Sequence, residues 1–178
     1  MIADVLHFSF TVRDIAETVD WYTRVLGLEL VHQQTGDNDY TRTLVGVPDA
    51  VLRVAQFKIP GLDSKYSSHM LEMVEYVGRA GDERAHPVSR VGGAHLGFVV
   101  TDIHARYRKL KSAGVEFVNP PVRITEGVNE GGYACYFRDP DGNTLELLQF
   151  SDARARERGL PVESHVQSED VEESETRQ

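Results

Sequence analysis

Apolar and polar residues alternate most cleanly in two stretches of the chain. In LHFSFTV (6–12), Phe8, Phe10 and Val12 fall on one side while His7, Ser9 and Thr11 fall on the other. AHLGFVV (94–100) divides in the same way, with Leu96, Phe98 and Val100 opposite His95, Gly97 and Val99. A period of two predicts a strand in each, with one greasy face and one more polar face. After each strand the spacing becomes helical, in DIAETVDWYTRVLG and in DIHARYRKLKSAG. Asp14 and Asp102 stand where an N-cap side chain is needed for the first free backbone N–H groups. Gly27 and Gly114 suit the left-handed position that ends a helix.

These two stretches are copies of one plan. The interval from His7 to His95 equals that from Asp14 to Asp102. Each unit also closes on a strand centred on Leu-Glu-apolar, HMLEMVEY (69–76) and NTLELLQF (143–150). Asp139-Pro140-Asp141-Gly142-Asn143 is a tight turn by composition and folds the last strand back as a hairpin. The expected fold is α+β, two tandem βαβββ modules over 1–77 and 91–152 that form an incomplete barrel around a cleft. GRAGDERAHPVSR (78–90) reads as the linker between them.

Composition narrows the classes of function. The chain has 178 residues and a formal net charge of −9, which disfavours a general affinity for nucleic acid or anionic membrane. No apolar run approaches the roughly 18 residues of a membrane span, and the acidic start MIADVLHFSF does not resemble a secretory signal, so a cytoplasmic protein is expected. Much of the excess acid lies in 153–178, whose last residues, ESHVQSEDVEESETRQ, are too polar to build a core. That stretch is expected to be a tail whose ordered part docks on the body or on a partner. The single cysteine, Cys135, can form neither an intrachain disulfide nor a Cys-based zinc site.

Each module carries one His on its first strand and one Glu on its last, in surroundings where an unpaired charge is costly. If the polar faces of the first strands meet in a cleft, His7, Glu72, His95 and Glu146 converge at its floor. Two imidazoles and two carboxylates suit a divalent metal ion such as Zn, Ni, Co, Fe or Mn. His69 and Glu75 compete with Glu72 for the first-module carboxylate or ligand position. Strand parity favours Glu72, because Glu75 faces the other way and Leu-Glu72-Met matches Leu-Glu146-Leu.

The strand–helix start at His7–Asp14, the helix exit WYTRVLGLEL and the ending GYACYFRDPDGNTLEL resemble the vicinal oxygen chelate superfamily. That superfamily includes glyoxalase I, methylmalonyl-CoA epimerase, extradiol dioxygenases and fosfomycin or bleomycin resistance proteins. The resemblance covers about residues 3–151. It implies metal ligands at His7, Glu72, His95 and Glu146, and a homodimer whose cleft forms within one chain or between two. It also implies a metal-dependent lyase, isomerase or epimerase acting on a small molecule, which shifts a proton beside a metal-chelated carbonyl through an enediolate. Glu146 and Glu72 are both candidates for the base. The alternatives are an Fe(II) extradiol-type dioxygenase using His7, His95 and Glu146, and a non-catalytic binder of the drug-resistance type.

Arg53 and Arg123 are the expected substrate contacts among the arginines, because a guanidinium grips oxyanions and both lie near strands that should wall the cleft. Tyr133 and Tyr136 alternate, so only one can line the pocket. Tyr136 shares the parity of Glu146 if the intervening turn adds no bulge. His32, His69, His86, His104 and His165 have no repeat partner and read mainly as surface or loop residues, with His69 the one to watch.

Overall fold

A computed structural model describes residues 6–61, 70–79 and 89–162. His69, His86, His165, most of the linker and the end of the tail lie outside them.

The duplicated pattern becomes two four-stranded sheets of the same topology. The first contains β1 (His7–Val12), β2 (Glu29–Gly36), β3 (Leu52–Lys58) and β4 (Met70–Tyr76), in the order β1-β4-β3-β2. The second contains β5 (His95–Val99), β6 (Val122–Arg123), β7 (Tyr133–Arg138) and β8 (Thr144–Gln149), in the order β5-β8-β7-β6. In both, the first strand runs parallel to the last and the remaining pairs are antiparallel. Neither sheet closes on itself, so each keeps one open face and leaves its first strand, β1 or β5, at an edge.

Helices α1 (Ile15–Arg24) and α3 (Ile103–Ser112) begin where the aspartates predict. Asp14 accepts from the backbone N–H groups of Ala16 and Glu17, and Asp102 from that of Ala105. Gly27 and Gly114 take the left-handed conformation, with φ of 70° and 85°. A second device repeats with a change of residue. Buried Glu75 accepts from the N–H of Ile15 at 3.0 Å, and Gln149 accepts from the N–H of Ile103 at 2.8 Å. A side-chain oxygen from the last strand thus ties each helix to its sheet and meets its positive end.

The helix-covered faces of both sheets supply one continuous core. Phe10, Tyr22, Phe57 and Met73 belong to the same buried cluster as Ile103, Phe137, Leu145 and Leu147. Polar contacts pin the two modules together: the buried Tyr22 hydroxyl donates to Asp139 at 2.9 Å, and Arg13 Nε donates to Asp141 at 2.6 Å. Because both covered faces turn inward on this shared core, the open faces are the outer ones.

The first module has one element that alternation did not reveal, α2 (Asp39–Val45), capped by Asn38 and ended by left-handed Gly46. Seven residues are too few to display a helical period. Its end packs with Val47 beside Leu52 and Val54, a small core separate from the main one. In the region read as tail, α4 (Asp152–Glu157) is ordered and buries Ala155.

Candidate metal centre

Strand register places the two His–Glu pairs in equivalent positions. Ser9 lies directly opposite Glu72 across β1 and β4, and Gly97 directly opposite Glu146 across β5 and β8. His7 and His95 are each two residues earlier on the same face. Within each module the imidazole reaches the carboxylate: His7 Nε2 is 3.6 Å from Glu72 Oε1, and His95 Nε2 is 3.4 Å from Glu146 Oε2. Glu72 and Glu146 are mostly shielded from solvent and their histidines less so. Glu75 lies on the opposite face of β4, as parity requires, with its carboxylate engaged by Ile15 and Arg53.

The four side chains do not converge within one chain, and of the two arrangements left open by the sequence this disfavours the within-chain cleft. Among the described residues, no three His, Cys, Asp or Glu side chains gather closely enough to hold an ion. The physical reason is the shared core: packing the modules through their helix-covered faces turns the two open faces away from each other. The foursome forms two separate His–Glu pairs, one in each module.

The spacing within each pair is compatible with two ligands on one ion. Ligand atoms sharing one ion at about 2.1 Å stand about 3.0–3.4 Å apart, close to the His–Glu separations seen here. Among the described residues, buried His7 Nδ1 has no hydrogen-bond partner, and its Nε2 stops just beyond hydrogen-bonding distance from Glu72. That leaves an imidazole with unused capacity beside a carboxylate, a donor set that fits a divalent cation.

The third strand of each sheet adds a residue in the same row. Gln56 lies opposite Glu72, and Tyr136 lies opposite Glu146. The Asp139 turn connects β7 and β8 with no bulge, so Tyr136 does share the face of Glu146. Its ring meets His95 edge-on at a centroid distance of 5.2 Å. Gln56 donates from Nε2 to Glu72 Oε2 at 2.9 Å. Burial raises the Glu146 carboxyl above the ordinary value despite the opposing effect of His95. Burial, and then the Glu146 charge, raise the Tyr136 phenol.

The two arginines are placed elsewhere. Arg53 lies opposite Glu75 on the covered face of the first sheet and approaches it at 3.4 Å. Arg123 lies opposite Tyr133, also on the side away from Glu146. Both odd–even positions follow from register, which residue type alone did not supply. The same register reveals Gln56, Ser9, Gly97 and His32, none of which was singled out for the site. His32 continues the Glu72–Gln56 row onto β2, past a bulge after Leu30. Aligning the third strands of the two modules would have found Gln56 as the counterpart of Tyr136. Cys135 faces the core, where burial pushes its thiol up to about 11.

A cleft of about 470 Å³ lies between the modules and is lined in part by Leu26, Leu28, Phe98 and Arg106. None of the four His and Glu side chains lines it.

The family model for the Glyoxalase/Bleomycin resistance protein/Dioxygenase superfamily matches residues 4–147. The chain belongs to this superfamily. Over 148 residues it is 30% identical to a 2-epi-5-epi-valiolone epimerase from Actinomyces, covering 81% of this chain and 78% of that protein. It is 27% identical to a lactoylglutathione lyase from Pseudomonas aeruginosa, covering 82% of this chain and 81% of the other. A glyoxalase family protein from Bacillus cereus shares the fold at a TM-score of 0.69 and 18% identity, covering 85% and 96% of the two chains. This superfamily member has, among its described residues, no helix long and apolar enough to cross a membrane.

Proposed function

We propose that the protein is a divalent-metal-dependent enzyme that moves a proton on a carbon next to a carbonyl, and that it acts as an epimerase in preference to a lyase. The observation that carries this reading is the pair of His–Glu half-sites in identical strand register, His7 with Glu72 and His95 with Glu146. Identity to the valiolone epimerase over most of both chains supports the epimerase reading. Arg53 and Arg123 lie on the faces turned away from Glu72 and Glu146, so neither of these two arginines serves as an anionic handle beside the His–Glu pairs.

A homodimer would complete the site. Among the described residues, the first strand of each sheet is an edge with no further strand paired to its outer side, a geometry that a second copy can satisfy. In this arrangement β1 of one chain meets β5 of its partner, bringing His7 and Glu72 beside the partner's His95 and Glu146. Two-fold symmetry then yields two sites per dimer.

When bound, the ion would polarise the substrate carbonyl and lower the energy of the developing oxyanion. The chain does the rest. His7, His95 and Glu72 would hold the ion, and Glu146, half enclosed between Gly97 and Tyr136, would take the proton from one face of the carbon, with inversion completed when solvent supplies a proton to the opposite face. The Tyr136 ring packs edge-on against His95 and helps orient the imidazole.

The test has two parts. Protein purified without chelator should contain about one divalent ion per chain by elemental analysis. The loaded protein in D2O should then incorporate deuterium beside the carbonyl of a cyclic polyhydroxyketone such as 2-epi-5-epi-valiolone. Turnover of lactoylglutathione instead would move the reading to a lyase, and intact protein that retains no metal would favour a non-catalytic binder.

A further inference from the structure

The two half-sites match in His, Glu and register but differ at one position on the third strand. Gln56 faces Glu72 and donates a hydrogen bond to Oε2 at 2.9 Å, while His7 Nε2 stands 3.6 Å from the other oxygen. Tyr136 holds the same position opposite Glu146 and gives it no such bond. Among the described residues, His95 is the only side chain whose hydrogen-bonding group meets the Glu146 carboxylate. Opposite Glu146 on β5 there is also no side chain. A Cβ on Gly97 would stand 3.2 Å from Glu146 Oε2, so glycine leaves the carboxylate free space that Ser9 occupies in the first module.

We propose that Gln56 is a positioning residue that locks Glu72 into one rotamer as a metal ligand, and that the Gln56/Tyr136 difference divides the labour between the two carboxylates. Glu72 stays on the ion. Glu146, with one polar neighbour and open space above Gly97, is the carboxylate able to swing. A hydrogen bond to a ligating carboxylate fixes its orientation before the ion arrives, and losing such an outer partner typically costs about 10–100-fold in metal affinity. This inference rests on the metal reading above and adds a direction to it: the first module is the preorganised half of the site.

The experiment uses the full chain and Co2+ alone, with affinity read by calorimetry and coordination by the visible absorption spectrum. Gln56→Met keeps the length and volume of the side chain but removes the donor, and Gln56→Leu is the second variant should the first fail to fold. Either should weaken Co2+ binding by about 10–100-fold and alter the spectrum, with the unfolding midpoint nearly unchanged. Tyr136→Phe should leave both affinity and spectrum close to those of the wild type. Wild-type affinity and spectrum in a folded Gln56 variant would overturn the positioning role while leaving the metal reading intact. Failure of the unaltered protein to bind Co2+ would overturn both.

Discussion

The Tyr22 hydroxyl of the first module donates to the Asp139 carboxylate of the second at 2.9 Å, and both side chains are buried. Asp139 also accepts from the N–H of Asp141 and from both the N–H and the side-chain amide of Asn143, so one carboxylate organises the last hairpin and joins the modules. Tyr22→Phe removes a buried donor to a charged acceptor without changing shape. It should cost about 1.5–3 kcal/mol by denaturant unfolding.

The same contact sets an alkaline limit. Burial raises the Tyr22 phenol well above its ordinary value, and the Asp139 charge raises it further. In the folded state the phenol holds its proton at a pH where the unfolded chain has lost it. The stabilisation is therefore complete below the ordinary tyrosine range and is lost as pH rises above about 10 towards the folded value. Melting curves recorded from pH 8 to 11 should fall less steeply for Tyr22→Phe than for the wild type. Parallel slopes would mean that this phenol is not the group responsible.

Glu75 and Glu72, three residues apart on β4, separate fold from function. Glu75 ties the start of α1 to the sheet, a task that Gln149 performs for α3 without a charge. Glu75→Gln should therefore cost less than about 1 kcal/mol, whereas Glu75→Ala strands a buried N–H and should cost about 2–3 kcal/mol. Glu72→Gln should leave stability within about 0.5 kcal/mol yet abolish stoichiometric metal binding. Thermal unfolding alongside elemental analysis of all three proteins checks the division.

Gly97 offers a clean test of the space beside Glu146. Its backbone is not in the left-handed region, so alanine is compatible with the strand and should hold or slightly raise the unfolding temperature. The new methyl would lie 3.2 Å from Glu146 Oε2 and push the carboxylate aside. Gly97→Ala is expected to keep its Co2+ affinity within about threefold while turnover falls at least about tenfold.

The duplicated scaffold was readable because its signals are local and occur twice: alternation in β1 and β5, aspartate caps at 14 and 102, and Leu-Glu at 71–72 and 145–146. Parity alone separated Glu72 from Glu75. What the sequence hid is non-local. Whether the modules pack by their covered or their open faces depends on contacts such as Tyr22–Asp139, which join residues far apart in the chain, and that choice separates the two His–Glu pairs. Arg53 was misplaced for a related reason. Its nearness to a cleft strand was legible, but its face was fixed only by the pairing of β3 with β4. Helix α2 was missed because a seven-residue element offers too little pattern.

If the site is completed by a second chain, damaged chains should repair one another. A chain carrying His7→Ala retains His95, and one carrying His95→Ala retains His7, so each homodimer has two crippled sites. In a mixed dimer one site inherits both substitutions and the other inherits none. Random exchange makes about half of the dimers mixed, so about a quarter of all sites should be intact after the two proteins are unfolded and refolded together. Stoichiometric metal and activity should recover to about that fraction of wild type, and should stay near zero in either protein refolded alone. No recovery, with dimers shown by sedimentation to have exchanged, would mean that the two half-sites meet within a single chain, and that the modules rearrange from the packing described here to do so.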